Sequence, residues 1–181
     1  GNAIKEPIGQ MKLCKYYDLN VYSPLNTRET IPIIGVDVSG GYNRDSSAIT
    51  VIDSDTTKVI ADLNCNYIKP DELAACVVEL VTRYAPRAIV NVERNGGFGA
   101  AVLGMLIKSP IKKNLYYEYK ERILEERYDG FKVDKKKATV KVYGIDSSRK
   151  LRDQLIEILR QRMTNHKDKF ISPIIYDELK T

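Results

Sequence analysis

The chain has only three cysteines, one histidine and no long apolar run, and each scarcity bears on a class of function. The spacing of Cys14, Cys65 and Cys76 fits neither a zinc site nor a framework of paired disulfides, so reduced thiols in a cytosolic protein are expected. His166 is the only histidine, which gives no basis for a Ser-His-Asp triad or a histidine-based metal site. Metal chemistry would therefore use carboxylates, which favour hard ions such as Mg²⁺ or Mn²⁺.

Long apolar segments are scarce as well. No stretch approaches the roughly 18 apolar residues that a membrane helix needs. No signal peptide opens the sequence, so no membrane partner is expected. The 181 residues are 43% hydrophobic, which is enough for a core, and carry a formal net charge of +5. The basic balance is compatible with a polyanionic partner.

Two regions are predicted along the chain. Residues 1–30 are polar and irregular, with Pro7 and Pro24, and predict a tail or connector. Residues 31–181 carry the regular patterns and predict one domain. Because the sequence starts at Gly1 and stops without a helix-ending signal, we expect a piece of a longer protein, truncated at its C-terminal end.

The larger region begins with an antiparallel meander, for which the predicted strands are 31–38, 48–53 and 58–67. A helix capped by Pro70-Asp71 follows, and one apolar face of it consists of Leu73, Cys76, Val77, Leu80, Val81 and Tyr84. The later predictions are a strand, a glycine-rich turn with a second helix, a strand, a polar hairpin and a final helix, at 88–93, 94–106, 114–120, 122–143 and 146–163.

This order, three antiparallel strands and then alternating helices and strands, is that of the ribonuclease H-like fold. It predicts an α/β domain with a mixed five-stranded sheet, helices on both faces and an inserted β-hairpin. A doubly wound sheet is the alternative, but that architecture expects a helix directly after the first strand, where this sequence has a hairpin.

Two carboxylates follow apolar runs of strands that lie side by side in such a sheet. Asp37 interrupts the run Ile33–Val38, and Glu93 closes the fourth strand. A desolvated carboxylate costs several kcal/mol or more, and two carboxylates brought together repel each other. A divalent cation between Asp37 and Glu93 resolves both problems, so the pair predicts a metal site.

Glycines follow both acids, Gly40-Gly41 after Asp37 and Gly96-Gly97 with Gly99 after Glu93, and would leave room for a bulky backbone. The segment NGGFGAA could also be a turn at which a helix packs closely on the sheet. Two Mg²⁺ or Mn²⁺ ions about 3.5–4 Å apart activate water and stabilise the leaving oxygen of a phosphodiester. Metal-dependent hydrolysis of a nucleic-acid backbone is the predicted reaction. The hairpin's Lys135, Lys136 and Lys137 are then candidates for nucleic-acid contact, although lysine runs are usually solvated faces.

Simpler roles remain open for individual residues. Asp37 could be a structural acid bonded to backbone amides, and Glu93 could face solvent at a strand end. Asp45 is expected in a turn, with a supporting role near the metal as the alternative. His166 is expected in an exposed loop.

Four segments extend this pattern: GVDVSGGYNRDSSAITVID, IVNVERNGGFGAAVLGML, YGIDSSRKLRDQLIEILRQRM and FISPIIYDELKT. In this order they resemble the C-terminal nuclease domain of the terminase large subunits of tailed bacteriophages. The resemblance covers about residue 31 to the end. It implies that this domain cuts concatemeric double-stranded DNA during genome packaging, with Asp37 and Glu93 as metal ligands.

The resemblance also implies partners and a setting. Other terminase subunits and the portal would bind the full-length protein, in the cytoplasm of an infected or lysogenic bacterial host. The chain has no GxxxxGK[ST] loop, so it cannot be the family's ATPase part, and residues 1–30 would connect to that part. The family's third acid lies on a helix after the segment with Asp177 and Glu178, so the third ligand is expected beyond Thr181.

Other functional classes remain as alternatives. A junction resolvase or a transposase-like nuclease would share the fold, and a non-catalytic DNA-binding module would keep the fold without the chemistry. "GVDVSGG" also resembles the phosphate-binding hairpin of actin-like and sugar-kinase-like ATPases. That class needs two such domains and a longer chain.

Overall fold

Eight β-strands and two α-helices make up the computed structural model, which describes residues 6–27, 29–39, 46–94, 96–128, 132–145, 156–158 and 160. The strands are β1 Gly9–Leu13, β2 Tyr17–Val21, β3 Pro32–Asp37, β4 Ser47–Asp53, β5 Val59–Cys65, β6 Ile89–Val92, β7 Tyr117–Tyr128 and β8 Lys132–Tyr143. The α-helices are α1 Pro70–Glu79 and α2 Gly96–Ile107.

Six of the strands form one mixed sheet in the order β1-β2-β5-β4-β3-β6. The predicted meander is confirmed, because β3 pairs antiparallel with β4, and β4 pairs antiparallel with β5. The predicted neighbours are confirmed too, since β6 lies parallel to β3 at the sheet's edge. The chain therefore has the mixed α/β architecture that the sequence predicts.

The prediction of an irregular tail over residues 1–30 is wrong for residues 9–21. β1 and β2 form a hairpin, and β2 continues the main sheet by pairing with β5. Along β2 the side chains alternate, so that Tyr17, Leu19 and Val21 are buried and the residues between them are not. This period-two pattern is a strand signal that the surrounding polar residues obscured. Because this hairpin adds two strands and the predicted fifth strand contributes only a single bridge, the main sheet has six strands instead of five.

The predicted fifth strand takes a different course. Leu115 makes a single parallel bridge to Val90 of β6, and the amide of Tyr116 donates to the Val90 carbonyl at 2.8 Å. From Tyr117 onward the chain leaves the sheet and pairs with β8 in a separate two-stranded sheet. The predicted hairpin is thus confirmed, and it begins earlier than the sequence indicated.

α1 and α2 lie on the same face of the sheet, because their buried side chains belong to one apolar cluster with Ile34, Val36 and Val90. The opposite face carries a smaller cluster of seven residues: Ile31, Ile33, Ile52, Ile89, Tyr116, Ile145 and Ile158. Of the helix predicted over 146–163, residues 156–158 and 160 are described and helical. Through Ile158 that segment covers the second face, so helical residues pack on both faces.

The first helix begins earlier than predicted, and its last turn is of a different helical type. Lys69 is the N-cap residue, and Pro70 is the first helical residue, a position where its missing N–H is no disadvantage. The last predicted turn, Leu80–Tyr84, is π-helical and stops at Ala85, just before Pro86.

The turn between β1 and β2 is attached to α1 by Glu79. Its carboxylate accepts a hydrogen bond from the backbone amide of Cys14 at 2.6 Å, and it also contacts Arg83 at 3.2 Å. The Cys14 amide, more than the Arg83 guanidinium, lowers the pKa of Glu79 below its ordinary value of 4.5. Because the folded pKa is depressed, the contact stabilises the fold above the unfolded pKa and this stabilisation is lost as pH falls.

Glu79→Gln is therefore expected to lower Tm at pH 7 by roughly 2–4 °C, since a charged hydrogen bond of this exposure is worth about 1 kcal/mol. As pH falls from about 5 toward 3, the Tm difference between wild type and variant should shrink to near zero. Thermal unfolding followed by circular dichroism across this range measures it. A Tm difference that stays constant with pH would contradict the assignment.

Candidate metal centre

The parallel pairing of β3 with β6 brings Asp37 and Glu93 together. Val36 is opposite Val92 in the register, and the Glu93 amide donates to the Val36 carbonyl at 3.0 Å. Asp37 and Glu93 are the next residues along the two chains. Neighbouring strands lie about 4.8 Å apart, and residues at matching parallel positions point to the same face. The register therefore places both carboxylates on one face at the same end of the sheet.

That face is the one opposite α1 and α2. Side chains alternate along a strand, so Asp37 shares its face with Ile33, and Glu93 shares its face with Ile89. Ile33 and Ile89 both belong to the smaller apolar cluster. Asn91, two residues before Glu93, is buried to 2% exposure on the same face. Asp37 is exposed and Glu93 is half-buried, at the end of a face on which Ile33, Ile89 and Asn91 are buried.

The predicted burial of the Asp37 carboxylate in its strand is wrong. Asp37 is the last residue of β3 and its side chain is exposed, whereas Val36 before it is buried. A solvated carboxylate at a strand end carries little desolvation cost, so folding itself does not require a cation there. The structure supports the convergence of Asp37 and Glu93, which does not depend on whether either carboxylate is buried.

The backbone of Glu93 is held by three neighbouring segments. Besides the bond to β3, Glu93 forms a parallel bridge with Ile145, and the Arg94 amide donates to the Ile145 carbonyl at 3.3 Å. From the third side α2 approaches so closely that a Cβ on Gly99 would lie 2.3 Å from the Glu93 carbonyl oxygen. Only a residue without a side chain fits there.

Gly144, the first residue after β8, permits the chain there to pack closely against β6. Its φ of +81° lies in the left-handed region, and a Cβ there would lie 2.4 Å from the Val92 carbonyl oxygen. This turn sets Ile145 beside Glu93. Of the two roles open to the glycines after Glu93, room for a bulky backbone and close packing, Gly99 has the second.

Ser47 supports the Asp37 end of the site and was missed by the sequence reasoning. It is fully buried, and its hydroxyl accepts a hydrogen bond from the Ser39 amide at 2.8 Å. This bond ties the chain two residues after Asp37 to the first residue of β4. A serine in a run of turn residues gave no signal that distinguished this role. Gly40, Gly41 and Asp45 lie outside the described residues.

Two of the candidate nucleic-acid lysines, Lys136 and Lys137, are adjacent residues of β8. Lys136 and Lys137 are both exposed, but adjacent strand residues point to opposite faces. Lys137 is opposite Ile123 in the register, Lys136 is opposite Leu124, and Lys135 is opposite Glu125. Lys136 and Lys137 therefore lie on opposite faces of the hairpin, and the predicted contact of the three lysines with nucleic acid stays a prediction.

Two carboxylates match the hard oxygen donors that Mg²⁺ and Mn²⁺ prefer, and few protein ligands leave positions for water and phosphate. Within the described ranges, no group of three or more histidine, cysteine, aspartate or glutamate side chains could hold a metal ion. His166, Asp177 and Glu178 lie outside those ranges. Among the described residues, the candidate metal ligands are therefore the two carboxylates of Asp37 and Glu93.

The sequence matches no protein-family model and no curated protein. Over the described residues, none of the helices has the length and apolar character needed to cross a membrane. The assignment of a function therefore depends on the arrangement of the site and on the resemblance of the sequence segments.

Proposed function

We propose that this chain is a metal-dependent DNA endonuclease domain that hydrolyses phosphodiester bonds. The observation that carries the proposal is the parallel register of β3 and β6, which ends with Val36 opposite Val92 and has Asp37 and Glu93 as the next residues of the two chains. Two acids far apart in the sequence are thereby adjacent on one face.

The strand order supports a ribonuclease H-like fold. In the order β5-β4-β3-β6, β3 is the first strand of the meander. It lies at the edge of the meander and pairs with β6, the strand that follows α1. Leu115 then continues the sheet on the far side of β6 by its parallel bridge to Val90. This order is compatible with the arrangement predicted from the element order, with a single bridge in place of the fifth strand and with β1 and β2 as an addition at the opposite edge.

The chemistry follows from the two carboxylates. Asp37 and Glu93 would hold one or two divalent cations, and bound Mg²⁺ or Mn²⁺ would supply an activated water and neutralise charge on the phosphate. The hydrogen bond to Val36, the bridge to Ile145 and the close packing of Gly99 of α2 fix the Glu93 backbone, so its carboxylate would be oriented before the ion and the DNA bind.

The resemblance to terminase large subunits supplies the biological setting of the proposal. The substrate would be concatemeric double-stranded viral DNA, cut during genome packaging in the host cytoplasm. Other terminase subunits and the portal would be partners of the full-length protein. The formal net charge of +5 is compatible with a DNA-binding role.

Incubation of the purified chain with supercoiled plasmid tests the proposal. Nicked and then linear DNA should accumulate with Mn²⁺ and should be absent with EDTA, because the carboxylates alone cannot activate water sufficiently. Binding without cutting in Mn²⁺ would instead indicate a non-catalytic DNA-binding domain. Preferential cutting of a four-way junction over linear DNA would indicate a resolvase.

A further inference from the structure

Arg94 directly follows Glu93, at the end of the sheet that carries the acid pair, Asp37 and Glu93. Consecutive Cα atoms are about 3.8 Å apart, so the backbone of Arg94 lies beside the candidate metal ligand. Its amide donates to the Ile145 carbonyl at 3.3 Å, which fixes the point from which the side chain starts. The proposed metal site makes no use of this cation.

The apolar stem of the Arg94 side chain packs against Gly144. A Cβ on Gly144 would lie 3.0 Å from Cγ of Arg94 and 3.5 Å from its Cδ, so a side chain at position 144 would crowd the stem. Arg94 is half-buried. Because the stem is packed along its length, the guanidinium at its end has a restricted range of positions.

The guanidinium of Arg94 has hydrogen-bond donors that no neighbour satisfies. Its Nε is buried, and among the residues that the structure describes no acceptor lies within hydrogen-bonding distance of it. The ion pairs within the same part of the chain do not include Arg94. A guanidinium stays protonated in proteins, and buried polar groups are normally hydrogen-bonded. An unsatisfied cationic donor beside two candidate metal ligands therefore indicates a ligand with anionic oxygen acceptors.

We propose that Arg94 binds a phosphate group of the DNA strand that the acid pair cuts. The planar guanidinium matches the geometry of a phosphate and donates parallel hydrogen bonds to two of its oxygens. A cation at this position also offsets part of the repulsion between the two carboxylates and the DNA backbone. The inference rests on the proposed nuclease function for the identity of the ligand, and it assigns substrate binding to a residue that holds no metal.

Arg83 provides a matched control, because it has the same charge in a different setting. It lies on the π-helical turn after α1, whose buried residues pack on the face of the sheet opposite the acid pair. Its guanidinium is paired with Glu79 at 3.2 Å, and its side chain is 65% exposed. Loss of this charge should leave a DNA contact at the acid pair unchanged.

The test is equilibrium binding of a short DNA duplex in EDTA over a range of NaCl concentrations, which separates binding from cleavage. Arg94→Met keeps an apolar stem and removes the charge and the buried donor. We expect its affinity to fall about 10-fold, as for the loss of one charged hydrogen-bonded contact. The slope of log Kobs against log salt concentration should fall in magnitude by about 0.9, the value for one phosphate contact. Arg83→Met should retain the affinity and the slope of the wild type.

Thermal unfolding distinguishes phosphate binding from a structural role. The Tm of Arg94→Met should equal or exceed that of the wild type, because a buried donor without an acceptor does not stabilise the fold. Arg94→Lys keeps the test decisive if Arg94→Met folds poorly. It retains the charge without the planar fork, so it should keep the salt slope and lose affinity by a smaller factor.

The outcomes separate this inference from the nuclease assignment. If the wild type fails to cut plasmid in Mn²⁺ but Arg94→Met still loses affinity and salt dependence, the nuclease assignment fails and the phosphate contact stands. Plasmid cleavage by the wild type, together with unchanged DNA affinity and salt slope in Arg94→Met, would overturn the phosphate contact alone. A lower Tm of Arg94→Met with unchanged DNA binding would also overturn it, since that is the result for a structural arginine. No DNA binding by the wild type would overturn both.

Discussion

Asp37→Ala and Glu93→Ala are each expected to slow plasmid cleavage in Mn²⁺ by at least about 100-fold. Mutation of residues that only support metal ligands typically costs 10–100-fold, so loss of a ligand itself should cost about 100-fold or more. Initial rates of supercoiled plasmid loss at saturating Mn²⁺ measure the effect. The double variant should be no slower than the slower single variant, because the two carboxylates act as one unit.

The matched control is Asp18→Asn, which removes a carboxylate on β2, three strand positions away from β3. Asp18 forms an exposed ion pair with Lys12 at 2.6 Å, and such surface pairs contribute little. Its cleavage rate and Tm should match the wild type. Equal cleavage by Asp37→Ala, Glu93→Ala and wild type would show that other residues, or a contaminating nuclease, cut the DNA.

Gly99→Ala is expected to destabilise the chain, whereas the same change at Gly104 of the same helix should stabilise it. A Cβ on Gly99 would lie 2.3 Å from the backbone carbonyl of Glu93, which cannot move without disturbing β6. Overpacking of this kind costs about 1–3 kcal/mol, or roughly 2–12 °C in Tm. A Cβ on Gly104 meets nothing within 4 Å, so only the helix preference of alanine remains, about 0.5–1 kcal/mol.

The pair separates local crowding from the general effect of removing a glycine. Thermal and urea unfolding of both variants give the sign of each change. Because the clash involves the carbonyl of Glu93, Gly99→Ala should also reduce cleavage more than its stability loss explains, measured at a temperature where it is folded. A Gly99→Ala variant as stable as Gly104→Ala would show that α2 does not pack on Glu93 as described.

The sequence predicted the meander and β6 because the signals for these strands are local. The apolar runs in β3 and β6 and the turn residues between β3 and β4 are legible within a few residues. It also identified Asp37 and Glu93, since a carboxylate at the end of an apolar strand is conspicuous. The hairpin of β1 and β2 was overlooked because short half-buried strands give a weak alternation that polar neighbours obscure.

Only the tertiary structure decided which residues meet. It placed Asp37 in solvent instead of the core, because burial depends on what covers a strand end and not on the residues beside it. It brought the Cys14 amide to Glu79 and Gly99 to the Glu93 carbonyl, since such contacts come from the packing of whole elements. The sequence by itself fixes local conformation through periodicity and backbone sterics, whereas distances between remote side chains follow from how the sheet and helices pack.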